Sequence, residues 1–112
     1  MNILVDTSIL SKALRRNNYI SPEGEQLKAL IHDNNTIYTT GIIIQEILQG
    51  IKSKTMFEKV KEYMSFFPYI QCTQEEHEHA SQLFSLCRSK GIQTSTIDSL
   101  IASIAISHNC LL

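Results

Sequence analysis

Asn2-Ile3-Leu4-Val5-Asp6-Thr7-Ser8 decides the fold. Asn2 to Val5 is a short, almost continuous apolar run, and it reads as a strand buried on both faces, as in a parallel sheet. An acid ends it. In open α/β sheets ligands gather outside the carboxyl ends of the strands, so Asp6 stands at the mouth of the sheet. Asp is also a favoured helix N-cap, but Thr7 and Ser8 can cap the next helix, through about Arg16, just as well.

Outward from that strand, Ser21-Pro22-Glu23 starts a helix running to about Asp33: a capping serine, a proline at the first helical position, then an acid. Asn34-Asn35 ends it. Thr36 to Thr39 is β-branched and aromatic, which predicts a second strand. Thr40-Gly41 opens a helix to about Gly50, and another covers Lys54 to Phe66. Pro68 stops that one, and Tyr69-Ile70-Gln71-Cys72 suggests a short third strand. Thr73 caps a long helix through Lys90, closed by Gly91. Ser95 or Thr96 caps a last helix to about His108, and Cys110-Leu111-Leu112 reads as the start of another buried strand. Strands alternating with helices predict an α/β fold with a parallel sheet.

Two further acids fall beside apolar frameworks. In Gly41 to Gly50, Ile43, Ile44, Ile47, Leu48 and Ile51 gather on one helix face, and Gln45, Gln49 and Lys52 gather opposite. Glu46 falls on the border. It is either a carboxylate at a cleft rim or a border glutamate with its head in solvent. Asp98 stands in the first turn of Thr96 to Ile106, a helix apolar nearly all round except for Ser99, Ser103 and Ser107. It shares a face with Ala102 and Ala105. The helix macrodipole favours an acid there by roughly 0.3–1 kcal/mol, and a site carboxylate would occupy the same place. Asp6, Glu46 and Asp98 can converge, but like charges held close need a neutralising cation. Oxygen ligands with room for water suit Mg²⁺ or Mn²⁺. Such an ion can activate water and stabilise charge on a phosphodiester.

Ile3-Leu4-Val5-Asp6-Thr7-Ser8, a following helix with Glu46, and Ile97-Asp98-Ser99-Leu100-Ile101-Ala102 with Ala105 together resemble the PIN-domain family. The likeness is greatest to the VapC-type toxins of bacterial toxin–antitoxin pairs, and it spans essentially the whole chain. It implies a three-layer fold with a central, mostly parallel sheet flanked by helices, and a ribonuclease that attacks an RNA phosphodiester with metal-assisted water. Asp6, Glu46 and Asp98 would take the family's Mg²⁺ or Mn²⁺ carboxylates. Ser8 would match a hydroxyl that orders the first acid, with Thr7 supporting beside it. Homodimers and a cognate antitoxin whose tail plugs the acidic site are implied as well. Family members continue past the strand begun by Cys110-Leu111-Leu112 into a further acidic motif. The expectation is therefore a single domain over residues 1–112, C-terminally truncated, without its last strand and fourth acid. An inactive PIN-fold binding module is the alternative to the enzyme.

Bulk properties fit. A chain of 112 residues is one domain by length, and 43% hydrophobic with 19% charged residues describes a globular protein, not a disordered one. A net charge of -1 argues against a general polyanion binder, though not against an enzyme whose positive charge is a bound metal. The N-terminus lacks the basic region of a signal peptide, and no apolar run approaches the roughly 18 residues that span a bilayer, which predicts a cytoplasmic protein. Cys72, Cys87 and Cys110 are odd in number and widely spaced, so a disulfide framework or zinc knuckle is not expected.

Three other groups have bland readings. Glu75, Glu76 and Glu78 around His77 and His79 suggest a solvated surface. Phe57, Tyr63, Phe66, Phe67 and Tyr69 suggest core and subunit contact in preference to base stacking, and Met56, Val60 and Met64 at helical spacing support the contact. A phosphotransfer domain of the receiver type would need an aspartate at the end of a middle strand, where Thr39-Thr40 stands, and a lysine after Lys90, where there is none.

Overall fold

A computed structural model of the chain describes residues 1–5, 7 and 33–112. The helices expected from Thr7 or Ser8 to about Arg16 and from Ser21 to about Asp33 lie outside the described residues, apart from their ends. Asp6 and Ser8 lie outside them too.

The apolar opening forms strand β1, Asn2–Leu4, and the β-branched run forms β2, Thr36–Thr40. They pair in parallel, with Asn2 opposite Thr36 and Leu4 opposite Tyr38. Strand β3 is only Tyr69–Ile70, parallel to Thr39–Thr40 at the end of β2. It is shorter than the expected Tyr69 to Cys72 because β2 ends there and leaves nothing further to pair with. On the other side of β1, Leu111 bridges Ile3 in parallel: the Leu111 N–H donates to the Asn2 carbonyl at 2.9 Å, and the Leu4 N–H to the Leu111 carbonyl at 2.8 Å. Of the expected last strand Cys110-Leu111-Leu112, Leu111 therefore joins the sheet. Leu111 and Leu112 are exposed, however, and not buried as expected, because Leu111 borders the sheet with β1 as its one partner among the described residues.

Parallel neighbours need crossovers, and helices supply them. Helices α1, Gly41–Gln49, and α2, Lys54–Met64, link β2 to β3. Helices α3, Gln74–Ser89, and α4, Thr96–Ser107, carry the chain from β3 back across to β1. The expected faces sort as the periodicity requires. Ile43 and Ile47 are fully buried, Ile44, Leu48 and Ile51 pack beside them, and Gln45, Gln49 and Lys52 face water. With Leu4, Met64 and Ile104 they form the centre of the core. Each such side chain stabilises the fold by about 1.5–3 kcal/mol.

Caps set the helix limits. Ser53 Oγ accepts from the Met56 N–H at 3.2 Å, Thr73 makes a reciprocal capping box with Glu76, and Ser95 Oγ accepts from the Asp98 N–H at 3.0 Å. Gly91, at φ 73°, turns the chain out of α3, a conformation that favours glycine. On α2, Val60 and Met64 are buried in this chain's own core and Met56 packs against it. Of the aromatic group, Phe57 and Phe67 are half-buried while Tyr63, Phe66 and Tyr69 are exposed. Tyr63 and Phe67 meet edge to face, with centroids 5.7 Å apart.

Candidate functional site

The sheet order is Leu111, β1, β2, β3. The strand that follows β1 in sequence lies on one side of it, and the last residues to join the sheet lie on the other. Strand order thus reverses at β1, and its carboxyl end is the topological switch point where α/β folds bind ligands. Val5, just past that end, is buried. Thr7 Oγ1 donates to Glu46 Oε1 at 2.9 Å, tying the carboxyl end of β1 to the middle of α1. Both residues are half-buried. Glu46 is thus neither a core charge nor a free surface acid: it is half-buried on the border of α1 and its carboxylate accepts a hydrogen bond.

Asp98 occupies the first turn of α4. Its backbone N–H is taken by Ser95, but among the described residues its carboxylate has no hydrogen bond and no ion pair, and it is exposed. The helix behind it is buried at Ile101, Ile104 and Ala105 and packs against α1, the helix that carries Glu46. Asp98 also lines an open groove of roughly 660 Å³ with Phe84 and Arg88 of α3 and Ile92, Thr94 and Ser95 of the connecting loop. Among the described residues no three His, Cys, Asp or Glu side chains are grouped to hold a metal. Two of the three expected carboxylates are described, on helices that touch, and Asp6 falls outside the described residues. Glu46 and Asp98 supply hard oxygen donors, which suit Mg²⁺ or Mn²⁺ and not a thiolate metal.

At the far end of the α3–α4 pair one sequence expectation is corrected. Glu76 is 5% exposed, not solvated. Its Oε1 accepts from the Thr73 N–H at 3.4 Å and Thr73 Oγ1 at 3.2 Å, and lies 3.4 Å from His108 Nε2. The buried hydroxyl of Ser103 donates to the Glu76 carbonyl at 2.8 Å and lies 3.0 Å from His79 Nδ1. The Ser99 and Ser103 stripe of α4 is therefore packed inward, where Ser103 bonds to α3. The signal that finds Glu76 is Thr73-x-x-Glu76, the capping-box spacing. Beside this cluster the Cys72 thiol is pushed up, first by burial and then by the Glu76 charge, and burial alone pushes up Cys110. All three cysteines are free.

The PIN domain family model matches residues 3–112. The chain belongs to the PIN domain family. Among solved structures, VapBC2 from Rickettsia felis, crystallised with a DNA fragment from its promoter, is 26% identical, with a TM-score of 0.79 over 98% of this chain and 84% of that one. FitAcB from Neisseria gonorrhoeae is 20% identical, with a TM-score of 0.75 over 98% and 84%. VapC20 from Mycobacterium tuberculosis, a toxin that cleaves the sarcin-ricin loop, is 15% identical, with a TM-score of 0.69 over 96% and 84%. The last two show the fold alone. No curated protein matches. The PIN sheet of parallel strands flanked by helices is the architecture expected from the sequence, and among the described residues no helix is long and apolar enough to cross a membrane.

Proposed function

We propose that this PIN domain is a metal-dependent endoribonuclease that hydrolyses RNA phosphodiester bonds as the toxin of a toxin–antitoxin pair. The observation that carries the reading is the Thr7–Glu46 hydrogen bond at the carboxyl end of β1. It ties Glu46, one of the expected carboxylates, to the residue two past Val5 at the end of β1, which supports a site there. Asp6, next to Thr7 in sequence, and Asp98, whose carboxylate is uncommitted among the described residues, complete a set of acids that would hold Mg²⁺ or Mn²⁺. When bound, such an ion makes water a nucleophile near neutral pH and neutralises charge on the phosphodiester. Thr7 positions Glu46, and Ser8 is proposed to order the first acid. RNA as substrate is supported by the PIN family match, and VapC20, a sarcin-ricin loop cleaving toxin, has the same fold. A cognate antitoxin is supported by VapBC2, a relative solved on promoter DNA. A homodimer and a cytoplasmic location are part of the same proposal.

Labelled RNA incubated with and without Mn²⁺, beside Asp6→Asn and Asp98→Asn, tests it. Metal-dependent cleavage that falls at least about 100-fold in each variant is expected, since electrostatic groups at a reacting centre carry effects of that size. Metal-independent cleavage, or cleavage unchanged in both variants, would sink it.

A further inference from the structure

We propose that the groove between the C-terminal end of α3 and the N-terminal end of α4 is a subsite for single-stranded RNA, in which Arg88 binds a phosphodiester flanking the one that is cut. This rests on the ribonuclease reading and extends it to a residue outside the acidic set.

Arg88 and Asp98 line the same groove and carry opposite charges, yet they form no ion pair. Among the described residues the Arg88 side chain has no ion pair and no hydrogen bond, and it is exposed. A cation in the last turn of a helix is favoured by the macrodipole, and that alone would explain a basic residue there. It does not explain the rest of the groove. Ile92, 54% exposed, and the half-buried Phe84 line it as well. A base can lie on such a wall, because stacking tolerates any base. Thr94 and Ser95 add hydroxyls. The volume falls within the roughly 300–1,000 Å³ of ordinary ligand sites.

The groove is also preorganised. The Ile92 N–H donates to the Cys87 carbonyl at 2.8 Å and the Gly91 N–H to the Arg88 carbonyl at 3.1 Å. The loop therefore holds the exposed Ile92 against the end of α3. The guanidinium fork matches phosphate oxygens in two parallel hydrogen bonds, which a lysine ammonium cannot do. A chain of net charge -1 has no general attraction for RNA, so an uncommitted arginine beside a site acid has a strand to hold in register.

The test measures binding of a labelled single-stranded RNA in EDTA over a range of salt, and cleavage kinetics with Mn²⁺. It compares the wild type with Arg88→Ala, Arg88→Lys and, as a remote exposed cation on α2, Lys59→Ala. Arg88→Ala is expected to weaken binding about tenfold and to lower the slope of log K against log salt by about 0.7, one phosphate contact on a single strand. KM rises with kcat retained. Arg88→Lys restores the slope but not the full affinity, and it keeps the helix-end charge, so a folding defect in the alanine variant does not decide the result. Lys59→Ala changes neither. Wild-type cleavage with Arg88→Ala equal to wild type or to Lys59→Ala in slope and KM would overturn the subsite and leave the ribonuclease standing. Polyglutamate competing as well as RNA would assign the groove to an acidic protein segment and overturn it too. Wild type that neither binds nor cuts RNA would remove both readings.

Discussion

The α3–α4 pair has two ends that treat charge in opposite ways. At one end Glu76, Thr73, His108, Ser103 and His79 are engaged with one another, and the carboxylate is buried. At the other end Arg88 and Asp98 face a shared groove and leave each other alone. The first end is largely satisfied, as in the interior of a stable protein, with Glu76 Oε2 as its one buried polar atom without a partner among the described residues. The second has the character of a binding site, where charge is left for something that arrives. Acidic residues of the same helix pair thus differ in role because of their neighbours, not because of their type.

That contrast predicts a double dissociation. The largest effect belongs to Asp98→Asn, which should lose at least about 100-fold in cleavage while its melting temperature falls by no more than about 5 °C, the share of the helix dipole. Glu76→Ala should do the reverse. Loss of the capping box and of the charged hydrogen bonds is partly offset by removing Oε2, which is buried without a partner among the described residues. The net loss is about 1–2 kcal/mol in urea unfolding, with kcat preserved in the folded fraction. If Glu76→Ala left stability intact, the closed end would not be holding the helices together.

Thr7→Val lies between the two. It removes the donor to Glu46 at little cost in volume, and should lower cleavage about tenfold, the low end for groups that orient a metal ligand. Full activity would show that Glu46 needs no positioning. The smallest effect is chemical. The folded-state pKa of Cys72 is raised, so its share of stability is complete below the ordinary thiol value and is lost as pH rises through the raised one. Alkylation of Cys72 by iodoacetamide at pH 8.5 should be slower in the folded protein than in the urea-unfolded chain, and Glu76→Ala should speed it. An unchanged rate in Glu76→Ala would separate that charge from the thiol.

Local signals carried much of the fold. The β1 run, the strand at Thr36, the caps at Thr73 and Ser95 and the stop at Gly91 all depend on residues a few positions apart, and each stands where the sequence placed it. The candidate site was legible only as residue types. That Thr7 takes hold of Glu46 is a contact across the fold, and so is the meeting of Arg88 and Asp98 in one groove. Glu76 misled for the same reason. Among four charged or ionisable neighbours it reads as surface, but His108 from the next helix and the capping box draw it inward. Val60 and Met64 could have served either a partner or the core, and only the path of α2 decides between them.

The bridge between Leu111 and Ile3 bears on how the molecule assembles. It joins residues separated by almost the whole sequence, whereas β2 and β3 are linked through a short local unit. Contacts of high sequence separation close late, because the intervening loop must first give up its freedom. During synthesis β1 is made well before Leu111, so the edge of β1 that faces Leu111 waits for this partner until the chain between them has been made.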